Sequence, residues 1–196
     1  MPGASSHPPA GIVTAASAPP PPAGFTFYRV LCSTPPDLEA ERQAFESSVA
    51  RFVEEVSMPD AVLFAPASLR PPIVAANQVA AIESNIRMCE FFIQVFGEEW
   101  PGPVFQGFVD YALRSVDDPS TATRGVSVFF RNRHAAAPEV REFRATLAAR
   151  GRCELRDFTG AGELAGQFHE LLSAWYAPLK PAGQIGISCR AGSPGV

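Results

Sequence analysis

The sequence predicts a three-layer α/β domain on a five-stranded parallel sheet, with helices on both faces and strand order 2-1-3-4-5. Two observations carry the class. Five short apolar runs alternate with five stretches of helical spacing, and that alternation implies a parallel sheet covered on both sides. The run Phe91-Phe92-Ile93-Gln94-Val95-Phe96 is almost continuously apolar, as a strand buried on both faces should be. Right-handed crossovers then leave few topologies, and 2-1-3-4-5 is the favoured order for five units. The 196 residues suit one domain with a real core.

Residues 1–24 are dominated by Pro, Ala, Ser and Gly and end in Pro19-Pro20-Pro21-Pro22. Such a segment buries too little apolar surface to offset its ordering entropy, so a disordered tether is expected. A ligand for a proline-recognition domain is the alternative. It lacks the basic start and apolar run of a signal peptide. The domain itself is expected over residues 25–178, followed by a flexible tail over 179–196.

The first strand is expected at residues 25–32. Thr34 then reads as a helix N-cap, with Pro35 at the first helical position and Asp37 completing a capping box. The helix is expected to run to about Ser57, with Leu38, Phe45, Val49, Phe52 and Val56 on its buried face. Met58-Pro59-Asp60 breaks it. Residues 61–65 read as a short second strand and residues 66–72 as a Pro-rich loop. A helix over 72–88 buries Val79, Ile82 and Ile86, and the third strand follows at 90–96. The loop Glu98 to Pro103 leads to a helix over 104–116. A fourth strand is expected at 126–131, then a helix over 138–150 with Val140, Phe143 and Leu147 inward, ended by Gly151. The fifth strand is expected at 153–158 and the last helix at 161–176. Ile185-Gly186-Ile187 could add a short strand.

The bulk numbers exclude some functions. A net charge of -4 gives no electrostatic basis for binding nucleic acid or an anionic membrane. No apolar run reaches the roughly 18 residues of a membrane span. The four cysteines, at 32, 89, 153 and 189, form no Cys-x-x-Cys pair and no His cluster accompanies them, which argues against zinc. Free thiols in or beside apolar segments suit a reducing, cytoplasmic compartment. There is no Gly-x-Gly-x-x-Gly after the first strand and no Walker-type lysine.

In an open parallel sheet, ligands bind beyond the carboxyl ends of the strands where the order reverses, here between strands one and three. Ser33, Thr34 and the Glu98 to Pro103 loop should line that place. Arg131, Arg133 and His134 follow strand four at the same end. With the first helix's amides they could hold an anion of a nucleotide-like ligand; the plainer reading is a helix cap beside solvated arginines. Arg42, one turn after Leu38, either grips such a ligand or braces the helix through Asp37, Glu41 or Glu90. Trp100 either stacks on a base or anchors its loop. His134 has general-base chemistry but no identifiable nucleophile, and His7 and His169 have no recognisable partner.

The run Cys32-Ser33-Thr34, then Asp37-Leu38, then Glu41-Arg42 resembles the "Ser-Ser-Thr … Asp-Leu … Glu-Arg" opening of a bacterial family of domains of unknown function related to TIR (Toll/interleukin-1 receptor) domains. Ile86-Arg87-Met88-Cys89-Glu90-Phe91-Phe92-Ile93 is similar to that family's entry into its third strand, and Gly97-Glu98 and Asp110-Tyr111-Ala112 extend the likeness over about residues 26–178. The resemblance implies a flavodoxin-like or TIR-like fold and a signalling or effector role. TIR relatives that cleave NAD, and related nucleoside deoxyribosyltransferases, use a carboxylate near the crevice; in the TIR-like pattern a Glu opens the helix after strand three, four residues before an Ala. Counting back from Ala112 reaches Phe108, so that carboxylate is missing. Asp110 lies roughly 200° around the helix from there; Glu98 and Glu99 precede it in the loop.

These readings yield two functional expectations. The first is a TIR-like module acting by self-association or partner binding, requiring no cofactor, with NAD or another nucleotide as ligand and Ser33, Thr34, Arg42, Trp100, Arg131 and Arg133 as its binding residues. The second is an enzyme that breaks the N-glycosidic bond of NAD or a nucleoside, using Glu98, Glu99 or Asp110.

Overall fold

The structure is a computed structural model that describes residues 24–69, 76–132 and 134–180, with backbone only for 76–78. The expected leader up to residue 23, Arg133, Cys189 and the tail beyond Lys180 lie outside the described residues.

Five strands form one all-parallel sheet in the order β2-β1-β3-β4-β5, the flavodoxin-like arrangement expected from the sequence. They are β1 (Thr26–Ser33), β2 (Val62–Leu69), β3 (Phe91–Phe96), β4 (Gly125–Arg131) and β5 (Glu154–Phe158). The helices are α1 (Glu39–Phe52), α2 (Ala76–Arg87), α3 (Pro103–Asp117), α4 (Pro138–Arg150) and α5 (Ala161–Tyr176).

Period-2 alternation along the strands divides the core into two layers. Tyr28, Val30 and Cys32 of β1, with Phe91, Ile93 and Val95 of β3, face α1 and α5, where Phe45, Val49, Phe52, Leu164, Phe168 and Leu171 complete one cluster. Leu31, Phe92, Phe96, Val126, Val128 and Phe130 face the other way, against Ile86 of α2, Phe105, Phe108 and Val109 of α3, and Val140, Phe143 and Leu147 of α4. β3 is buried along its whole length, because it has strands on both sides and helices on both faces.

The last two helices have the bounds their spacing predicts, and Gly151 closes α4 with φ 61°, a left-handed turn that favours glycine. Two boundaries differ. α1 begins at Glu39 with Leu38 as N-cap and no side-chain cap bond; Thr34 and Pro35 lie outside the helix, and Pro35 C=O accepts from Leu38 N–H in the turn before it. The expected Thr34 capping box does not form, because Thr34 N–H donates to Leu69 C=O at 3.4 Å and prolongs the ladder to β2. The helix's last turn, Val53–Ser57, widens to π-helix. β2 runs on to Leu69 rather than ending at residue 65, since each of its residues pairs with one of β1. Pro66 is tolerated there because β2 stands at the sheet edge and needs no donor on its outer side.

Candidate functional site

β1 and β3 are neighbours, yet their connections leave toward opposite faces, to α1 on one side and α3 on the other. The carboxyl ends of β1 and β3 therefore flank the point where the chain order reverses. Gly97 joins the two exits. A Cβ added there would lie 3.3 Å from Leu38 Cδ2 and 3.5 Å from Asp37 Oδ2, so the turn after β1 packs directly on the loop after β3. The turn after β1 and the start of the loop after β3 thus meet at Gly97.

Below that contact, one row of residues crosses the sheet in register: Leu69, Ser33, Gln94, Val128 and Leu155. Its outer members are apolar and its two central members are polar. Ser33 and Gln94 are both 0% exposed. Gln94 Nε2 donates to Ser33 C=O and to Val95 C=O, each at 3.1 Å. Ser33 Oγ and Gln94 Oε1 have no hydrogen-bond partner. Buried polar atoms are almost always satisfied, and leaving one unpaired costs about 1–3 kcal/mol. α3 starts at the same end and on the same face, after Gly102 at φ 105°, with Pro103 at its first position and no side chain capping its amides. Its N-terminal N–H groups and dipole favour an electron-rich group there.

Glu98 is tied to the exit of β4. Its Oε1 accepts from Asn132 Nδ2 at 3.0 Å, and its C=O accepts from Ala137 N–H at 2.7 Å. Asn132 holds φ 42°, a left-handed conformation that asparagine tolerates. Glu99 is exposed. Trp100 stacks on Phe96 (centroids 5.9 Å apart, planes 4° apart) and meets Phe143 edge-on at 5.7 Å. Its ring anchors the loop on the α4 side.

Asp110 lies apart from this edge. Its carboxylate pairs with Arg150 at 2.5 Å, in a cleft of about 290 Å³ that Leu113, Arg114 and Arg152 also line. Phe108, expected where the carboxylate should stand, is 1% exposed and edge-on to Phe105 at 5.9 Å. It belongs to the core under α3 and does not line a hollow.

Arg42 braces the fold. Its guanidinium bonds Glu39 and, at 2.6 Å, Glu46, while Ser68 Oγ donates to Glu46 Oε1 at 2.9 Å and links α1 to β2. The partners named from sequence, Asp37, Glu41 and Glu90, are not those used: Glu90 instead accepts from Arg29 N–H at 2.6 Å, just before the amino end of β3. Glu41 is 3% exposed and pairs with Arg131 at 3.3 Å. Sequence reasoning passed over Glu41 as a site residue, although it lies between Leu38 and Phe45 on the buried stripe of α1. Arg131 is therefore already neutralised, though its Nε is buried without a partner. His134 is exposed.

Burial pushes the Cys32 thiol well above its usual range, with Glu46 adding to the shift. Burial likewise pushes Cys89 up to about 12, helped by the Glu90 charge. Neither is a nucleophile at neutral pH. No group of three or more metal-ligating side chains occurs among the described residues. No described helix is long and apolar enough to cross a membrane. A groove of about 480 Å³ lies beside β5 and α5, lined by Arg156, Asp157, Glu163, Gln167 and Glu170.

No family model matches the sequence, and no curated protein matches it. Among solved structures, the chain is similar to the metal-soaked flavodiiron core of Flv1 from Synechocystis (TM-score 0.43, 14% identity, 76% of this chain and 36% of that one). It is also similar to homoserine dehydrogenase of S. aureus (TM-score 0.41, 9% identity, 68% of this chain and 33% of that one). A third is the azoreductase AzrA (TM-score 0.40, 13% identity, 76% of this chain and 99% of that one). The chain thus spans about a third of the length of the first two. Likeness at this level carries no argument about chemistry; the fold rests on the chain's own sheet order.

Proposed function

We propose that this chain is a TIR-like, ligand-responsive binding module. It takes a nucleotide-like small molecule at the carboxyl ends of β1 and β3 and acts by self-association or by docking a protein partner. One observation carries the reading: the central row of the sheet has two buried polar atoms without partners, Ser33 Oγ and Gln94 Oε1, at the reversal point. Two apolar side chains would be the cheaper choice for folding alone.

Binding without catalysis is supported by the fate of the carboxylates. Asp110 is committed to Arg150 away from the site, and Phe108 fills the core. A reducing, cytoplasmic setting is supported by Cys32, Cys89 and Cys153, which carry no disulfide. Thermal shift against a nucleotide panel tests the binding. A ligand at a hundred times its Kd should add about 2.7 kcal/mol of stability. Light scattering across a concentration series, with and without that ligand, tests the association. A protein that stays monomeric and is stabilised by nothing in the panel overturns the reading.

The second reading, cleavage of an N-glycosidic bond, is favoured by one feature: Asn132 orients the Glu98 carboxylate at the same sheet edge. Incubation with NAD and chromatography for released nicotinamide tests it. Equal turnover after Glu98→Gln removes it.

A further inference from the structure

We infer that the Ser33–Gln94 pair is the floor of the binding site and reads a neutral lactam-type edge, an N–H donor beside a carbonyl, such as uracil and hypoxanthine present. This rests on the ligand-binding reading above and names the part of the ligand that reaches the sheet.

The argument runs from the chemistry of the two atoms. Gln94 is held in one orientation, because its Nε2 donates to the carbonyls of Ser33 and Val95. Its Oε1 therefore faces away from those carbonyls and can only accept. A phosphate or carboxylate oxygen offers it no proton and would repel it. An N–H satisfies it. Ser33 Oγ, next to it in register, can donate. The uncapped first turn of α3, on the same face and at the same end, supplies further N–H donors. A carbonyl suits Ser33 and that helix terminus, and the adjacent N–H suits Gln94. The site is complementary to neither partner alone. Of the cations expected to hold an anion here, Arg131 faces Glu41 and Arg42 pairs with Glu39 and Glu46. Both floor atoms are closed to solvent, so a ligand reaching them displaces its cover and associates more slowly than a preformed pocket allows.

The test compares uridine and inosine with 3-methyluridine and 1-methylinosine, which keep the carbonyl and lose the N–H, and with inorganic phosphate. Calorimetry and thermal shift are read on the full chain, its Ser33→Ala variant and its Gln94→Met variant. Uridine or inosine is expected to bind at least about tenfold tighter than its methylated counterpart and than phosphate. Ser33→Ala is expected to weaken that binding about tenfold or more while leaving the melting temperature unchanged or raised, since it removes an unsatisfied buried hydroxyl. It also keeps the test decisive should Gln94→Met not fold. Equal affinity for the methylated nucleosides overturns the inference, as does unchanged binding in Ser33→Ala. If other nucleotides bind but these edges and this variant make no difference, the inference fails and the broader binding reading stands. If nothing in either panel binds, both fail.

Discussion

Phe108 decides whether the position that a catalytic carboxylate occupies in the TIR-like pattern faces a ligand or the core. Replacing it with glutamate separates the two. Phe108 is 1% exposed, in a cluster with Phe105, Val109 and Ala112 of its own helix and Phe92 and Phe96 of β3. Removing a buried phenylalanine costs about 3–5 kcal/mol. The new carboxylate then has to enter an apolar layer, so it stays protonated with its pKa raised above the unfolded value of about 4.3. The folded state then binds more protons than the unfolded one. Stability therefore falls further as pH rises from the unfolded pKa toward the folded one, by about 1.4 kcal/mol per pH unit. At pH 7 the total loss should be at least about 4 kcal/mol, against the 5–15 kcal/mol typical of a whole domain. The melting temperature should drop by roughly 8 °C or more. Urea unfolding followed by circular dichroism at pH 5 and pH 7 measures this, with Phe108→Leu as control at about 1 kcal/mol. A Phe108→Glu protein losing less than about 1 kcal/mol would refute the packing argument. Nicotinamide release from NAD by that variant would show that the position faces a ligand after all.

Arg131→Met should cost about 2 kcal/mol, because it strands the buried Glu41 carboxylate, while Glu41→Gln should cost less; solvent screens the pair, since Arg131 is 39% exposed. Urea midpoints for the two variants check the order, and the reverse order would sink it. The Tyr176 hydroxyl donates to Asp60 and is pushed up to about 12, by burial first and by the Asp60 bond and charge next. Its raised folded pKa means the stability it contributes is intact below pH 10 and lost as pH rises toward 12. An ultraviolet titration should show that high midpoint fall in Asp60→Asn. Burial raises the pKa of all three described cysteines, but Cys153 is half-buried while Cys32 and Cys89 are buried. Alkylation of the native protein at pH 8, mapped by mass spectrometry, should label Cys153 first and reach the other two only on unfolding.

Local patterning was enough to give the alternation of strands and helices, the bounds of α4 and α5 and the buried character of β3. Those features are local: apolar spacing, a glycine after a helix and a continuous apolar run act within a turn or a strand of the chain. Tertiary structure alone decided which charges meet and which residues share a row. Glu41 could serve Arg42 by spacing, but the approach of β4 to α1 gives it to Arg131. β2 gained its last four residues by pairing with β1. Ser33 and Gln94 stand 61 positions apart in the chain and become neighbours only through strand register. Register is set by the sum of contacts across the sheet and not by the residues that end up adjacent, so no reading of either segment alone could place them together.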